Sequence, residues 1–132
     1  MHAKPALITY GGTDANPDIT LFVATNEGYL HAVDASDGTE QFSFVPKELL
    51  SNLSIVFADT AGTDYPYGLD GGLTAWVNDL NNNRLLYTNG SLDAGEFVYL
   101  YQGMRRGGKN YYALDVTKRT SPKLKWMIQG GV

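Results

Sequence analysis

One phrase occurs twice in this 132-residue chain, first as Tyr29-Leu30-His31-Ala32-Val33-Asp34-Ala35-Ser36 and again as Asn110-Tyr111-Tyr112-Ala113-Leu114-Asp115-Val116-Thr117. Each copy follows an apolar run and a turn that contains glycine, and each precedes another strand with aromatic residues. The repeated unit is therefore strand, glycine turn, strand, aspartate-ended turn and strand. Repetition of an all-β unit is typical of a β-propeller, whose blades are four-stranded sheets.

The predicted fold class is all-β: a β-propeller fragment of about two four-stranded antiparallel blades with a short helical insertion. The first blade spans residues 5–45 and the second spans residues 71–129. Residues 46–68 separate them and interrupt the alternation that marks the strands. Because the chain has at most the length of one domain, we expect residues 1–132 to be part of one propeller domain.

A helical turn is predicted at the start of the insertion, within residues 46–53. Proline is favoured at a first helical position, and Pro46 precedes three leucines that suit one or two helical turns. We expect these leucines, which are Leu49, Leu50 and Leu53, to pack on the sheets. The following residues, 55–67, are expected to be mostly loop.

The composition excludes several classes of function. Apolar residues make up 43% of the chain, enough for a core, and the formal net charge is −4. Such a chain is unsuited to nucleic acid, which binds basic surfaces. The absence of cysteine excludes disulfides, thiolate zinc sites and cysteine nucleophiles. No run reaches the ~20 apolar residues of a membrane-spanning helix, and the N-terminus lacks the apolar core of a signal peptide.

The two repeated aspartates, Asp34 and Asp115, are interpreted as structural. Each ends an equivalent strand, where its carboxylate can accept hydrogen bonds from the backbone of the tight turn that follows. Gly38 belongs to the first of these turns. A catalytic pair has no reason to recur at matching repeat positions, and no Ser/His/Asp set can be assembled with any specificity. We therefore expect no catalytic residue in this chain.

The stretch Asp79-Leu80-Asn81-Asn82-Asn83 spaces oxygen-bearing side chains like the start of a calcium loop. The pattern then fails, because Arg84 stands where glycine is needed and Gly90 stands where a bidentate glutamate is needed. His2 and His31 are too few and too separated for a metal site, and His31 is interpreted as a packed strand residue. We expect a solvated loop at residues 79–83, with no metal or cofactor bound by this chain.

Three cations, Arg105, Arg106 and Lys109, flank two glycines in a predicted hairpin connection. Guanidinium groups and backbone N–H groups could hold an anion there, but no strand-to-helix context supports a phosphate site. A hairpin tip projects from its sheet and its charges stay solvated. We therefore expect these three residues to form a surface that faces a partner.

Four phrases of the sequence, in order, resemble the PilC/PilY-type proteins of type IV pilus biogenesis. These phrases are residues 21–38, 44–53, 68–72 and 104–117. The stretch His2-Ala3-Lys4-Pro5 is similar to the opening of that family's propeller domain, which implies that Met1 was added for expression. One phrase alone would indicate only a quinoprotein-like blade, whereas the four together are specific to the family.

The resemblance implies a segment of a large secreted protein, with its signal peptide outside this segment. In that family the C-terminal propeller lies in the periplasm, in the outer membrane or at the pilus tip. The resemblance implies a non-enzymatic factor for pilus extension and adhesion, with pilins or minor pilins and a host or abiotic surface as partners. The family's calcium loop has no counterpart here, so calcium is expected elsewhere in the full-length protein.

Two alternative classes remain open. A propeller of the pyrroloquinoline-quinone-type dehydrogenases would need calcium ligands, a tryptophan stacked on the cofactor and typically cysteine, and Trp76 and Trp126 alone do not supply this set. A carbohydrate-binding propeller suits the aromatic content of 12%, but no motif identifies one.

Two blades without neighbours leave an apolar face uncovered on each side. The candidate residues for these faces are Phe42, Phe44, Tyr99, Tyr101 and Trp126. Exposed apolar patches beyond roughly several hundred Å² are rare on monomers, and unpaired sheet edges also favour association. We therefore expect the isolated chain to self-associate, most simply as a two-fold dimer.

Overall fold

The computed structural model describes residues 3–62 and 64–130, so Met1 and His2 lie outside the described residues. Sheet A contains β1 (Ala6–Gly12), β2 (Pro17–Ala24), β3 (Leu30–Asp34) and β4 (Glu40–Phe44). The small hairpin of β6 (Tyr87–Thr88) and β7 (Ser91–Leu92) follows β5 (Leu73–Asn78). Sheet B contains β5, β8 (Phe97–Gly103), β9 (Tyr111–Asp115) and β10 (Lys123–Ile128). Within each four-stranded sheet every neighbouring pair is antiparallel, which confirms the predicted all-β fold.

The strand registers make the two sheets equivalent. In sheet A, Ala32 pairs with Phe22 on one side and with Phe42 on the other. In sheet B, Ala113 pairs with Tyr101 and with Trp126 in the same way. Asp34 and Asp115 thus occupy matching positions two residues further along β3 and β9, and the phrase repeated in the sequence is a structural repeat.

The hydrophobic core lies between the two sheets. Side chains of a strand alternate between its two faces, and on β2 the buried residues include Phe22 and Ala24 while their neighbours are partly exposed. Sheet B contributes the buried residues Val98 and Leu100 of β8. Tyr10 crosses the gap, where its hydroxyl donates a hydrogen bond to the carbonyl of Val116 at 2.8 Å. Burial raises the pKa of the Tyr10 hydroxyl, so it stays neutral as a donor.

A salt bridge joins the two sheets beside Tyr10. The guanidinium of Arg119, in the turn before β10, donates to both carboxylate oxygens of Asp18 on β2, at 2.6 and 2.5 Å. The same guanidinium lies 4.3 Å from the centroid of the Tyr10 ring. The bonded carboxylate of Asp18 raises the pKa of Arg119, so the charge is held at this contact.

The insertion begins with the predicted helical turn, a 3-10 helix at Lys47–Asn52. It continues as α1 (Leu53–Ala58) and ends at Asp59, whose φ is +43°. Residues 55–58 thus lie in α1, and the other described residues of the range 55–67 are in no helix or strand, so the expectation of mostly loop holds. No helix among the described residues is long and apolar enough to cross a membrane.

Of the three leucines expected to pack on the sheets, only Leu49 is buried. It covers Gly28, where an added Cβ would lie 3.1 Å from a Leu49 methyl carbon. Leu50 is 53% exposed and Leu53 is partly exposed, so the expectation for Leu50 was wrong. Adjacent residues of a 3-10 helix point about 120° apart, so Leu49 and Leu50 cannot both face the sheet.

Candidate interaction surfaces

The two repeat aspartates make the same kind of turn. Asp34 Oδ1 accepts hydrogen bonds from the backbone N–H and the hydroxyl of Ser36, at 2.8 and 2.6 Å. Asp115 Oδ1 accepts one from the backbone N–H of Thr117 at 3.0 Å. Gly38 has a φ of +80° and donates its N–H to the carbonyl of Asp34 at 2.9 Å. The Ser36 hydroxyl holds the pKa of Asp34 below its usual value, so this carboxylate serves as a hydrogen-bond acceptor.

The loop after β5 is tied down by two acidic residues that the sequence did not single out. Asp93 Oδ2 accepts hydrogen bonds from the side chains of Thr88, Asn81 and Asn83. These bonds, with the Thr88 hydroxyl first, hold the pKa of Asp93 below its usual value. Glu96 is buried, and its Oε1 accepts from the backbone N–H groups of residues 80 and 81. These hydrogen bonds hold the loop against the start of β8, and residues 80–83 remain exposed, as the sequence predicted.

Metal-ligating residues do not converge in the described part of the chain. No group of three or more His, Cys, Asp or Glu there could hold a metal ion. His31 is a strand residue of β3 that stacks on Tyr29, with 5.3 Å between ring centroids, and its Nδ1 lies 3.0 Å from Glu40 Oε2. His2 lies outside the described residues.

Arg106 is paired with a buried carboxylate, a contact that the sequence analysis did not anticipate. Its Nε donates to Asp70 Oδ2 at 2.6 Å, its Nη2 donates to Asp70 Oδ1 at 3.3 Å, and the Asp70 side chain is fully buried. The Arg106 guanidinium also lies 4.0 Å from the ring centroid of Tyr67, whose hydroxyl accepts a hydrogen bond at 2.8 Å. The carboxylate of Asp70 raises the pKa of Arg106. The Arg106 side chain is still 43% exposed, so the cation keeps contact with solvent while it is paired with Asp70, and its contact with a partner stays a prediction.

The connection between β8 and β9 folds back because glycines allow close contact of two backbones. An added Cβ at Gly107 would lie 1.7 Å from the carbonyl oxygen of Gly68, and one at Gly68 would lie 2.3 Å from the backbone nitrogen of Gly28. This packing brings Arg106 onto the segment that carries Asp70. Opposite charges in the phrases at 68–72 and 104–109 were a signal in the sequence for this pairing.

The other two cations of the connection also lie at the surface. The Arg105 side chain is 66% exposed, and its Nη1 lies 4.0 Å from Asp70 Oδ2. Lys109 is exposed as well. Arg105 and Lys109 are therefore open to a partner, beside the partly exposed Arg106.

A second surface is the face of sheet B that points away from the core, here called the aromatic face. It consists of Trp76, Phe97, Tyr99, Tyr101 and Trp126. The rings of Phe97 and Tyr99 stack with centroids 4.1 Å apart, and Trp76 packs its edge on both, at 5.0 and 5.9 Å. Tyr101 and Trp126 lie 5.8 Å apart. The five rings thus form two contacting groups on one face of the sheet, and exposed aromatic surface is typical of an interaction site.

The aromatic face includes only part of the residues expected on an uncovered face. Tyr99, Tyr101 and Trp126 belong to it, but Phe42 and Phe44 were placed wrongly. Phe42 lies 6.2 Å from Phe22 between ring centroids, and Phe44 lies 5.6 Å from Tyr112, so both pack against the core. They alternate with polar residues on β4 and share the face of sheet A that sheet B covers.

The chain is similar to known proteins along most of its length. It is 33% identical over 121 residues to the type IV pilus biogenesis factor PilY1 homolog of Xylella fastidiosa, a match that covers 92% of this chain and 9% of that protein. It is 30% identical over 108 residues to the type IV pilus biogenesis factor PilY1 of Pseudomonas aeruginosa, covering 82% of this chain and 8% of that protein. The chain thus spans less than a tenth of these relatives. No protein-family model matches it.

A solved structure gives the same result. The crystal structure of the Pseudomonas aeruginosa PilY1 C-terminal domain matches with a TM-score of 0.51 and 27% sequence identity. The match covers 84% of this chain and 19% of that structure. In both sequence and fold, the two sheets therefore resemble one part of a larger domain.

Proposed function

The chain is homologous to part of the C-terminal domain of the PilY1-type type IV pilus biogenesis factors, and from this we propose that it is a non-enzymatic, structural part of a pilus assembly and adhesion factor. The observation that carries the proposal is the similarity over nearly the whole chain. The role of the chain is related to the type IV pilus, and its location is associated with the cell envelope or the pilus. Placement in the periplasm, in the outer membrane or at the pilus tip is part of the proposal.

The structure supports a scaffolding role for the two sheets. Its charged pairs, Arg106–Asp70 and Arg119–Asp18, join distant parts of the chain to each other. The repeat aspartates bond to their own turns. In this proposal the chain maintains the shape of the larger domain, and exposed residues such as Arg105 and Lys109 meet pilins, minor pilins or a surface.

A chimera tests the pilus role. In a Pseudomonas aeruginosa strain that lacks PilY1, the homologous segment of PilY1 is replaced by this chain, and the chimera is expressed from the native promoter. We expect surface pili, measured by shearing and immunoblotting, and twitching zones to return. A PilY1 variant with the segment deleted is the control and should restore neither. A chimera that accumulates in the envelope at the wild-type level yet yields no surface pili would contradict the proposal.

Adhesion needs a separate measurement because pili themselves promote attachment. The chimera is compared with a version carrying Arg105→Glu and Lys109→Glu in a background that cannot retract pili. We expect equal piliation and reduced attachment to a polystyrene or epithelial-cell surface. Equal attachment at equal piliation would remove adhesion from the proposed function and leave the pilus assembly role in place.

A further inference from the structure

We propose that the loop after β5 binds a calcium ion, with Asp79 and Glu96 as its two acidic ligands. These residues stand opposite each other at the end of sheet B. Asn78 on β5 pairs with Phe97 on β8, and Asp79 and Glu96 are the next residues beyond that pair. Residues directly opposite each other on antiparallel strands have Cβ atoms about 5 Å apart, and like charges there destabilise the pair. A cation bound by both carboxylates compensates this repulsion.

Each of the two carboxylates has a buried oxygen without a hydrogen-bond partner among the described residues. Glu96 is 4% exposed, and its unpaired atom is Oε2. Its Oε1 accepts from the backbone N–H groups of Leu80 and Asn81 at 3.0 and 3.2 Å, so the carboxylate lies against the loop. Asp79 Oδ1 is unpaired in the same way, while its Oδ2 accepts from the N–H of Arg84 at 2.9 Å. A buried charged oxygen without a donor is costly, and a bound cation removes this cost.

The backbone of the loop turns as a calcium loop does, although glycine is missing at its sixth position. In such loops the side-chain ligands stand at positions 1, 3 and 5, and a glycine at position 6 makes a sharp turn. With Asp79 at position 1, Arg84 stands at position 6, and its φ of +64° lies in the left-handed region that glycine favours. The expectation that this chain binds no metal depended in part on the missing glycine, and the structure makes the turn without it.

The side chains at positions 3 and 5 offer neutral oxygen ligands. The amide nitrogens of Asn81 and Asn83 donate to Asp93 Oδ2 at 2.9 and 3.2 Å, which makes Asp93 a positioning residue for both amides. The amide oxygen of Asn81 accepts from the N–H of Asn83 at 2.9 Å, and that of Asn83 accepts from the N–H of Leu85 at 2.8 Å. An amide oxygen has two lone pairs, so each keeps one for a cation.

The ligand set favours calcium over other cations. All of its atoms are oxygens, and calcium accepts irregular oxygen shells, whereas magnesium demands octahedral geometry. Gly90 stands where such a loop usually has a glutamate, and Glu96, six residues later, supplies the second carboxylate instead. The described part of the chain has no group of three or more His, Cys, Asp or Glu for a metal ion, so this site has only two acidic ligands and should bind calcium weakly. Residues 80–83 are exposed, which gives the ion access from solvent.

The experiment titrates the chain, freed of metal by a chelator, with calcium chloride in a calorimeter and follows thermal unfolding with and without millimolar calcium. We expect one calcium ion per chain with a Kd between about 10 μM and 1 mM, and magnesium binding at least about tenfold weaker. Calcium should raise the melting temperature by at least about 2 °C.

Two variants remove one charge each and keep the size of the side chain. Glu96→Gln and Asp79→Asn should each weaken calcium binding at least about tenfold and abolish the rise in melting temperature. Without calcium, both should be at least as stable as the wild type, because the repulsion between the carboxylates is gone. Asp37→Asn, in the exposed turn between β3 and β4, is the matched control and should bind calcium as the wild type does.

Three results would overturn the proposal. The first is a wild type that shows no saturable heat and no change in melting temperature in millimolar calcium. The second is calcium binding of equal strength in the wild type and both variants, which would place the ion elsewhere. The third is a Glu96→Gln variant that loses stability without calcium and keeps the wild-type affinity, which would make Glu96 purely structural. Far-UV circular dichroism checks folding, and should Glu96→Gln fail to fold, the affinity of Asp79→Asn decides.

Discussion

Arg106 supplies the positive charge that compensates the buried carboxylate of Asp70. Removing one partner of such a pair leaves an uncompensated buried charge, which is a strong destabilisation. We predict that Arg106→Met lowers the melting temperature by at least about 5 °C. Arg105→Met is the matched control, because its side chain is mostly exposed, and should change it by less than about 2 °C. If the two variants lower the melting temperature equally, the contact between Arg106 and Asp70 does not contribute the stability expected of it.

Tyr112 makes stability depend on alkaline pH. Its hydroxyl donates to Glu48 Oε2 at 2.5 Å, and burial, then this carboxylate, raises the pKa of Tyr112 from 10.0 to about 12. Above pH 10 the tyrosine of the unfolded chain loses its proton while the folded one keeps it, so the unfolded state is favoured. We predict that the free energy of unfolding falls as pH rises from 10 toward 12.

The control for this prediction is Tyr112→Phe, measured by urea unfolding at pH 8, 10 and 11. The variant should be less stable at pH 8 and should lose less stability with rising pH. The buried Tyr10 acts in the same direction, so part of the pH dependence should persist. If the free energy of unfolding of Tyr112→Phe falls with pH as steeply as that of the wild type, the pH dependence comes from other residues.

At the scale of elements, the loop before β5 packs on its neighbours through two glycines: Gly107 allows the β8–β9 connection to contact it, and Gly68 allows it to contact the β2–β3 turn. A Cβ at Gly107 or Gly68 would enter another backbone, at 1.7 and 2.3 Å. We predict that either Gly→Ala substitution costs about 2 to 3 kcal/mol of unfolding free energy, or more, because backbone must move. Gly72→Ala is the matched control, since an added Cβ there meets nothing within 4 Å, and should cost less than about 0.5 kcal/mol.

Chemical denaturation of the three alanine variants measures these differences directly. A loss for Gly72→Ala as large as that for Gly107→Ala would indicate that chain entropy, rather than close contact, sets the cost at these glycines.

At the scale of the whole molecule, the two sheets share one core and should unfold together. Both tryptophans, Trp76 and Trp126, lie in sheet B, whereas far-UV circular dichroism reports on both sheets. We predict coincident urea transitions by tryptophan fluorescence and by circular dichroism. Fluorescence that changes at a lower urea concentration than circular dichroism would show that sheet B unfolds separately.

The salt bridge between the sheets offers a further test at this scale. Arg119→Ala removes both hydrogen bonds to Asp18 and the contact with the Tyr10 ring. We predict a loss of about 1 to 2 kcal/mol, because the pair is partly open to solvent. The transitions by the two probes should shift together to lower urea. A shift in only one of them would mean that Arg119 stabilises one sheet rather than the contact between both.

The sequence by itself determined the two sheets and the insertion between them. Period-two alternation, glycine turns and the repeated aspartates are local signals, so they specify each strand and turn without reference to distant residues. The similarity to the pilus biogenesis factors could be recognised from the sequence for the same reason, because each of the four similar phrases is a continuous stretch of the chain. The helical turn at Pro46 was also predicted from neighbours in the chain.

Only the tertiary structure decided which faces are covered and which charges are paired. Phe42 and Tyr101 look alike in sequence, yet one packs in the core and the other lies on the aromatic face, because only one of the two sheets is covered on that side. Arg105 and Arg106 are neighbours, yet only Arg106 lies against the buried Asp70 at hydrogen-bond distance. That pairing depends on two segments more than thirty residues apart meeting through glycine contacts, and the opposite charges of the two phrases do not by themselves select Arg106 over Arg105.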